Sequence, residues 1–352
     1  MSLTETIPEK IPFLKPDEPP ALGEAFGPAS APDFPDLTAR PKIIKVPPDW
    51  KVTHMPVSGQ DVPVYLALVN NPKAVLSIVP GFGASPASYH QTIQMLNEAQ
   101  ISVVAMEWPK IGKNTEFNDL YAESVRQFLF HHKSPIHDPA IARPEVPRLN
   151  LTHSSGGLYF YYQCLDRQNR QYIERSSEGV THAAPFLDIS NASANFHWFG
   201  RMAYSTYARF VQGYVAGQSP VDKFYLRFTS GNESALLSEE DADSLPTHAQ
   251  IRELLKTADT ILKKVKDGTI PHLNLPQIFV VSERDPCACI LTAEWAGAAM
   301  GARIIRVPAE HNPIVESSET QKFLEAFALR DVQKMESILT ACARHHPQPQ
   351  PS

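Results

Sequence analysis

The sequence predicts an α/β protein: a mostly parallel central sheet flanked by helices, with a helical cap inserted late in the chain. Three observations predict it. Short apolar, β-branched runs alternate with helical patterns over residues 49–189 and again over 273–343, which implies parallel strands covered on both faces. Residues 190–272 break that rhythm and carry no clear buried strand. A serine-bearing corner, Thr152-His153-Ser154-Ser155-Gly156, joins one short strand directly to a helix.

The elements follow in order. Trp50–Val57 and Val64–Val69 read as two early strands, and Ala74–Val79 as a buried strand stopped by Pro80-Gly81. Tyr89–Gln100 is helical, with Ile93, Met95 and Leu96 on its core face. Ile101–Glu107 is the next buried strand, Asn114–His131 the next helix, and Leu149–Leu151 a short strand entering the serine corner. Leu158–Arg167 continues as a helix and Gly179–Leu187 as a strand. Pro276–Val281 and Ala302–Val307 are the last two strands, and Ser318–Cys342 closes the chain as one helix. Within the cap, Phe196–Tyr214, Phe224–Phe228 and Ala249–Lys266 read as helical.

The ends differ in kind. Eleven of the 32 prolines fall in residues 1–48. Proline fixes φ and removes a donor, so this arm is neither helix nor inner strand. It is either a flexible arm or an extended strap pinned by Ile11, Phe13, Leu14, Phe26 and Phe34. Residues 344–352 are polar and proline-rich, and a disordered tail is expected.

Bulk composition excludes several classes. The chain has 352 residues, 43% apolar and 20% charged, enough to bury a sizeable core. Its net charge of −6, with no Lys/Arg-rich run, gives no nucleic-acid footprint. No apolar run approaches the roughly 20 residues of a membrane helix, and Met1–Lys10 lacks a secretory pattern. The four cysteines read as free thiols: Cys287 and Cys289 are too close for a redox or zinc pair. A cytoplasmic protein without metal is expected.

The serine corner carries the chemistry. A strand-to-helix turn strains the serine backbone and lifts its hydroxyl above the sheet, and the flanking positions must be small because strand and helix cross there. Centring the G-x-S-x-G register on Ser154 leaves Thr152 and Gly156 flanking it, whereas centring on Ser155 puts His153 at a small position. Ser154 is therefore the better nucleophile. A base and its orienting carboxylate must come from neighbouring loops at the carboxyl end of the sheet. His311 follows the last strand in Pro308-Ala309-Glu310-His311. Asp285 follows the strand before it, with Glu283, Glu310 and Asp188 as competing carboxylates. The order Ser, Asp, His suits such a sheet. The loop Pro80-Gly81-Phe82-Gly83 and the residue after the serine are placed to supply two backbone donors, the amides of Phe82 and Ser155.

On these segments the chain resembles the α/β-hydrolase superfamily, and within it the monoacylglycerol lipase/lysophospholipase branch. The resemblance runs through VLSIVPGFGAS, ISVVAMEWPKIGKN, LTHSSGGL, FVVSERDP and VPAEHNPIVE, over roughly residues 50–335. It departs at Pro80, where the family has His, at Thr152, where it has Gly, and at Trp108–Asn114, which replaces an Arg-Gly-x-Gly-x-Ser turn. The resemblance implies a serine hydrolase acting on a lipid-like or small acyl ester through an acyl-enzyme, without organic cofactor. Thioester or amide hydrolysis, carbon–carbon cleavage and acyl transfer use the same triad. A binding protein on this scaffold is the non-enzymatic alternative, against which an intact Ser, Asp and His speak. In the cap, Phe196, Trp198, Phe199, Met202, Tyr204, Tyr207, Phe210 and Tyr214 crowd together. They form either packing core or an acyl pocket, with Trp198, Phe199 and Met202 as the pocket candidates.

Overall fold

A computed structural model of the chain describes residues 46–345 apart from 82–83, 111–116, 140, 142, 188–247, 284, 286–287 and 310–311. Eight strands form one sheet: β1 (Lys51–Val57), β2 (Gln60–Ala67), β3 (Ala74–Val79), β4 (Ile101–Met106), β5 (Arg148–His153), β6 (Gly179–Ala183), β7 (Gln277–Ser282) and β8 (Arg303–Val307). Their spatial order is β1-β2-β4-β3-β5-β6-β7-β8. The pairs β1/β2 and β2/β4 are antiparallel, and every pair from β4 through β8 is parallel.

The strand patterns explain the layering. β3, β4 and β7 are buried along their whole length. Their alternate residues feed two cores, as the two-residue period of a strand requires. Val75, Val79, Val104, Met106, Phe279 and Val281 face one, and Leu76, Ile78, Val103, Ala105, Ile278 and Val280 face the other. The first core is closed by α2 (Phe117–Val125), α3 (Ser155–Cys164) and the helix His248–Lys266, which inserts Leu254, Ala258, Ile261 and Val265. The second is closed by α1 (His90–Glu98) and by the two C-terminal helices.

With α4 as Arg167–Ser176 and α5 as His248–Lys266, the remaining helices are α6 (Ile290–Ala299), α7 (Pro313–Glu316), α8 (Ser318–Ala328) and α9 (Val332–His345). Several differ from the expected bounds. β2 starts four residues before the expected Val64, because Ser58 (φ 47°) and Gly59 (φ 80°) form a two-residue hairpin turn that pairs Val57 with Gln60. Two left-handed residues match the twist of the flanking strands. The expected strand Gly179–Leu187 ends at Ala183, where Ala184 turns to φ 43°. The expected helix Asn114–His131 becomes α2 followed by a wide turn at Arg126–Phe130. Helices α4 and α6 lie outside the expected elements: α4 is polar and buries a single residue, Ile173, and α6 is too uniformly apolar to show a stripe.

The single C-terminal helix is in fact two. Arg330 adopts φ 57° and Asp331 donates back to the Ala326 carbonyl at 2.8 Å. No glycine marks this break, and Phe323, Phe327, Met335 and Leu339 keep a helical rhythm across it. The pattern therefore read as continuous.

Strand and helix approach closely at Gly297 in α6. A Cβ there would lie 2.7 Å from Phe279 Cδ2 and 2.7 Å from Ile304 Cδ1, and Phe279 is fully buried with no room to retreat. Gly297→Val is expected to lower stability by about 1–3 kcal/mol through overpacking. A leftward shift of the urea midpoint at unchanged slope checks this; an unchanged midpoint contradicts it.

Candidate active site

Because β3, β5, β6, β7 and β8 are parallel, the loops that follow them emerge at one edge of the sheet. The chain leaves β3 for β4 on one side and later returns to β5 on the other. The crevice between β3 and β5 is thus a topological switch point, where ligands bind in open α/β sheets. Pro80-Gly81 caps β3 and Ser154 caps β5 at that crevice.

Ser154 is the junction between β5 and α3. Its backbone has φ 50° and ψ −121°, a region that L-residues enter only when their surroundings compel it, at a cost of about 1–3 kcal/mol. Those surroundings are visible. The Ser154 amide donates to the Ala183 carbonyl at 2.9 Å, and its own carbonyl accepts from Gly157 at 3.0 Å and Phe186 at 3.1 Å. Gly156 passes so near β3 that a Cβ would meet the Val79 and Pro80 carbonyl oxygens at 2.7 Å each. Only glycine fits there. Ser155 begins α3, where first-turn N–H groups have no acceptor within the helix.

The departure at Thr152 has a structural counterpart. Its hydroxyl lies 2.7 Å from Nδ1 of His182, its register partner on β6. His182 is fully buried among Phe160, Tyr161 and Phe279, with ring centroids 4.7–5.2 Å away. Its Nε2 finds no hydrogen-bond partner among the described residues. Gly157 allows the crowding, since a Cβ there would meet Thr152 Oγ1 at 3.2 Å.

The loop after β3 is held by side chains from other segments of the chain. The Gly81 amide donates to the Tyr89 hydroxyl at 3.3 Å, and that hydroxyl pairs with His153 Nδ1 at 2.9 Å. The Gly81 carbonyl accepts from the Trp108 indole at 2.8 Å. A Cβ on Gly81 would sit 3.0 Å from Ser154 Cβ, so this backbone lies against the serine. Burial pushes the Tyr89 phenol above its ordinary range, which keeps it a neutral hydroxyl able to donate and accept. The only signal for these roles was the departure already visible at Trp108; Tyr89 and His153 gave none.

Asp285 follows β7 and is buried, with one carboxylate oxygen accepting from the Ala288 amide at 2.8 Å. His311 lies outside the described residues, as do Phe82, Asp188 and the cap positions Trp198, Phe199 and Met202. The chain on either side of His311 is anchored. Ala309 is buried, and the Ile314 carbonyl accepts from Thr92 Oγ1 at 2.7 Å and from Gln321 Nε2 at 3.2 Å. Among the described residues no helix is long and apolar enough to cross a membrane.

Comparison with known proteins places the chain. Residues 70–307, more than half of it, match the family described as serine aminopeptidase, S33. The chain belongs to that family and has the α/β-hydrolase fold. No curated protein sequence matches it. Among solved structures it is similar to a soluble variant of monoglyceride lipase from Saccharomyces cerevisiae in complex with a substrate analogue. That likeness has a TM-score of 0.58 at 12% identity, covering 86% of this chain and 99% of the lipase. A lipase in its open form aligns with a TM-score of 0.51 at 13% identity, over 82% of this chain and 99% of that one. At such identities the likeness is one of fold.

The buried histidine has a consequence for stability. Desolvation lowers the His182 pKa from 6.5 to about 3. As pH falls through 6.5 the unfolded chain takes up a proton that the folded one refuses until about pH 3. Stability is therefore lost progressively over that window and is unaffected above it. His137, lowered to about 4 by burial and then by Arg148, adds in the same direction. The melting temperature is expected to fall between pH 7.5 and 5, and less steeply in His182→Gln. Parallel pH profiles for the two proteins would contradict the assignment.

Proposed function

We propose that this chain is a serine hydrolase that cleaves carboxylic esters of lipid-like or small acyl type through an acyl-enzyme. The observation that carries the reading is the backbone of Ser154. A buried serine held at φ 50° and ψ −121° between a strand and a helix is strain with no packing benefit of its own. Such strain persists at sites where it sets up chemistry.

In the proposed mechanism His311 takes the Ser154 proton as the hydroxyl oxygen attacks the substrate carbonyl. Asp285 orients the imidazole and stabilises its cation. The amides of Phe82 and Ser155 receive the negative charge that develops on the carbonyl oxygen. Collapse expels the alcohol, protonated by His311, and leaves acyl-Ser154. Water, deprotonated by His311, attacks the acyl carbon and releases the acid and the free serine. The burial of Asp285 and its Ala288 hydrogen bond suit a carboxylate with an orienting role. Residues of the cap, Trp198, Phe199 and Met202 among them, are proposed to line the acyl pocket. A second reading, amide hydrolysis, is favoured by the aminopeptidase description of the family. It uses the same triad with an amine leaving group.

A fluorophosphonate probe followed by p-nitrophenyl esters of increasing chain length and aminoacyl p-nitroanilides tests both readings. Esters are expected to be the better substrates, and preference for the anilides would exchange the two. Ser154→Ala is expected to abolish labelling and to lower turnover on the order of 10⁴–10⁶-fold. Ser155→Ala should lose far less, since its role is a backbone amide. Retention of more than about a tenth of the activity by Ser154→Ala removes the serine assignment.

The orienting carboxylate is tested separately. Asp285→Asn should keep the fold but slow turnover by about 10⁴-fold through the wrong histidine tautomer. A mild effect there, with a severe one from Asp188→Asn, would move the acid to the loop after β6.

A further inference from the structure

At the end of the sheet away from Ser154 lies a cleft of about 520 Å³, lined by His132, His137, Arg148, Tyr172, Arg175 and Ser176. Arg148 is the first residue of β5, whereas Ser154 follows its last. A strand rises about 3.3 Å per residue, which separates the two by roughly 20 Å. None of the six lining side chains is acidic, although the chain has 38 Asp and Glu against 32 Lys and Arg. We propose that this cleft is a binding site for a phosphate monoester, held by the guanidinium groups of Arg148 and Arg175.

Local structure brings these residues to one place. Tyr172, Arg175 and Ser176 stand at i, i+3 and i+4 on α4, so they share a face. Across from them, the short turn Pro135–His137 begins at Ser134, whose carbonyl accepts from the His137 amide at 2.9 Å. The His137 and Tyr172 rings meet edge to face, with centroids 5.4 Å apart and planes at 85°. They give the cleft an aromatic wall.

The charge of Arg148 is not matched by a carboxylate of its own. Its Nη1 donates to His137 Nδ1 at 3.0 Å. Arginine can only donate, so Nδ1 is the acceptor and the imidazole is neutral. The acid that acts on Arg148, Glu178, is already in a salt bridge with Arg330. Arg175 directs its Nε to the Gln171 carbonyl at 3.0 Å, which leaves both terminal nitrogens for a ligand. Among the described residues neither guanidinium forms a salt bridge. Two cations facing one cleft repel each other, and a partly buried one loses hydration as well. A bound anion relieves both costs.

The donor set selects the anion. Two guanidinium forks, the Tyr172 hydroxyl and the Ser176 hydroxyl offer more hydrogens than the two oxygens of a carboxylate can take up. A phosphate monoester has three free oxygens and close to two negative charges near neutral pH. The cleft also exceeds what a bare phosphate fills, since volumes of about 300–1,000 Å³ are usual for organic ligands. The ester group of the ligand would lie along the His137 and Tyr172 rings.

Calorimetric titration of the full chain with phenyl phosphate is expected to show one site with Kd below about 1 mM. Benzoate, with one charge and two oxygens, should bind at least tenfold more weakly. Arg148→Gln should weaken phenyl phosphate at least tenfold and Arg175→Gln about three- to tenfold, because Arg175 is exposed and more hydrated. Ester hydrolysis should stay within about twofold in both variants. Flotation with phosphatidylcholine vesicles, with and without phosphatidic acid, identifies the source of the phosphate. Arg148-dependent capture by phosphatidic acid places it on a lipid headgroup. Titration by phenyl phosphate without capture places it on a soluble ester. Either result supports the site. Absence of both, or binding that neither variant weakens, overturns it. Should Arg148→Gln not fold, Arg175→Gln carries the same comparison from an exposed position.

Discussion

A Cβ on Gly156 would come within 2.7 Å of two backbone carbonyl oxygens, those of Val79 and Pro80. The rest of the site depends on that missing methyl group. Backbone cannot retreat as a side chain can, so the crossing of α3 over the end of β3 exists only because nothing projects from residue 156. The crossing brings the strained Ser154 beside Gly81, whose own absent Cβ lets the loop lie against the serine. A parallel sheet supplies the remaining geometry: strands pointing one way deliver their following loops to a common edge.

Polar groups are buried beside the strained Ser154. Thr152 flanks the serine corner, and its hydroxyl pairs with His182 Nδ1 on the neighbouring strand. Burial of His182 disfavours its charged form, which is why its pKa is lowered. On the other side of the crevice, the Gly81 backbone after Pro80 is bonded to the Trp108 indole and the Tyr89 hydroxyl. The Thr152 hydroxyl and the Gly81 backbone thus find partners from other segments of the chain.

Much of the fold was legible because its signals are local. A six-residue β-branched run such as Ala74–Val79 declares a buried strand by itself, and six of the eight strands were expected within two or three residues at their starts and ends. The misplaced element bounds share one cause, which is that local periodicity is blind to where the chain turns. The Ser58-Gly59 hairpin set the register of β2, and the left-handed Arg330 divided a helix whose apolar rhythm never paused. Of the candidate site, Ser154 at the end of β5, Ser155 at the start of α3 and Asp285 after β7 fall where the pattern put them.

By itself the sequence determined the class of sheet and the corner at which a serine is strained. These are properties of neighbours along the chain, written in periods of two and 3.6 residues and in the smallness of glycine. Only the tertiary structure decided what holds the corner and its loop in place. The Gly81 amide and carbonyl find partners 8 and 27 residues away, Tyr89 reaches His153 across 64, and Thr152 reaches His182 across 30. Hydrogen bonds of that span depend on the register of strands and the packing of helices, which no stretch of sequence expresses until the chain has folded.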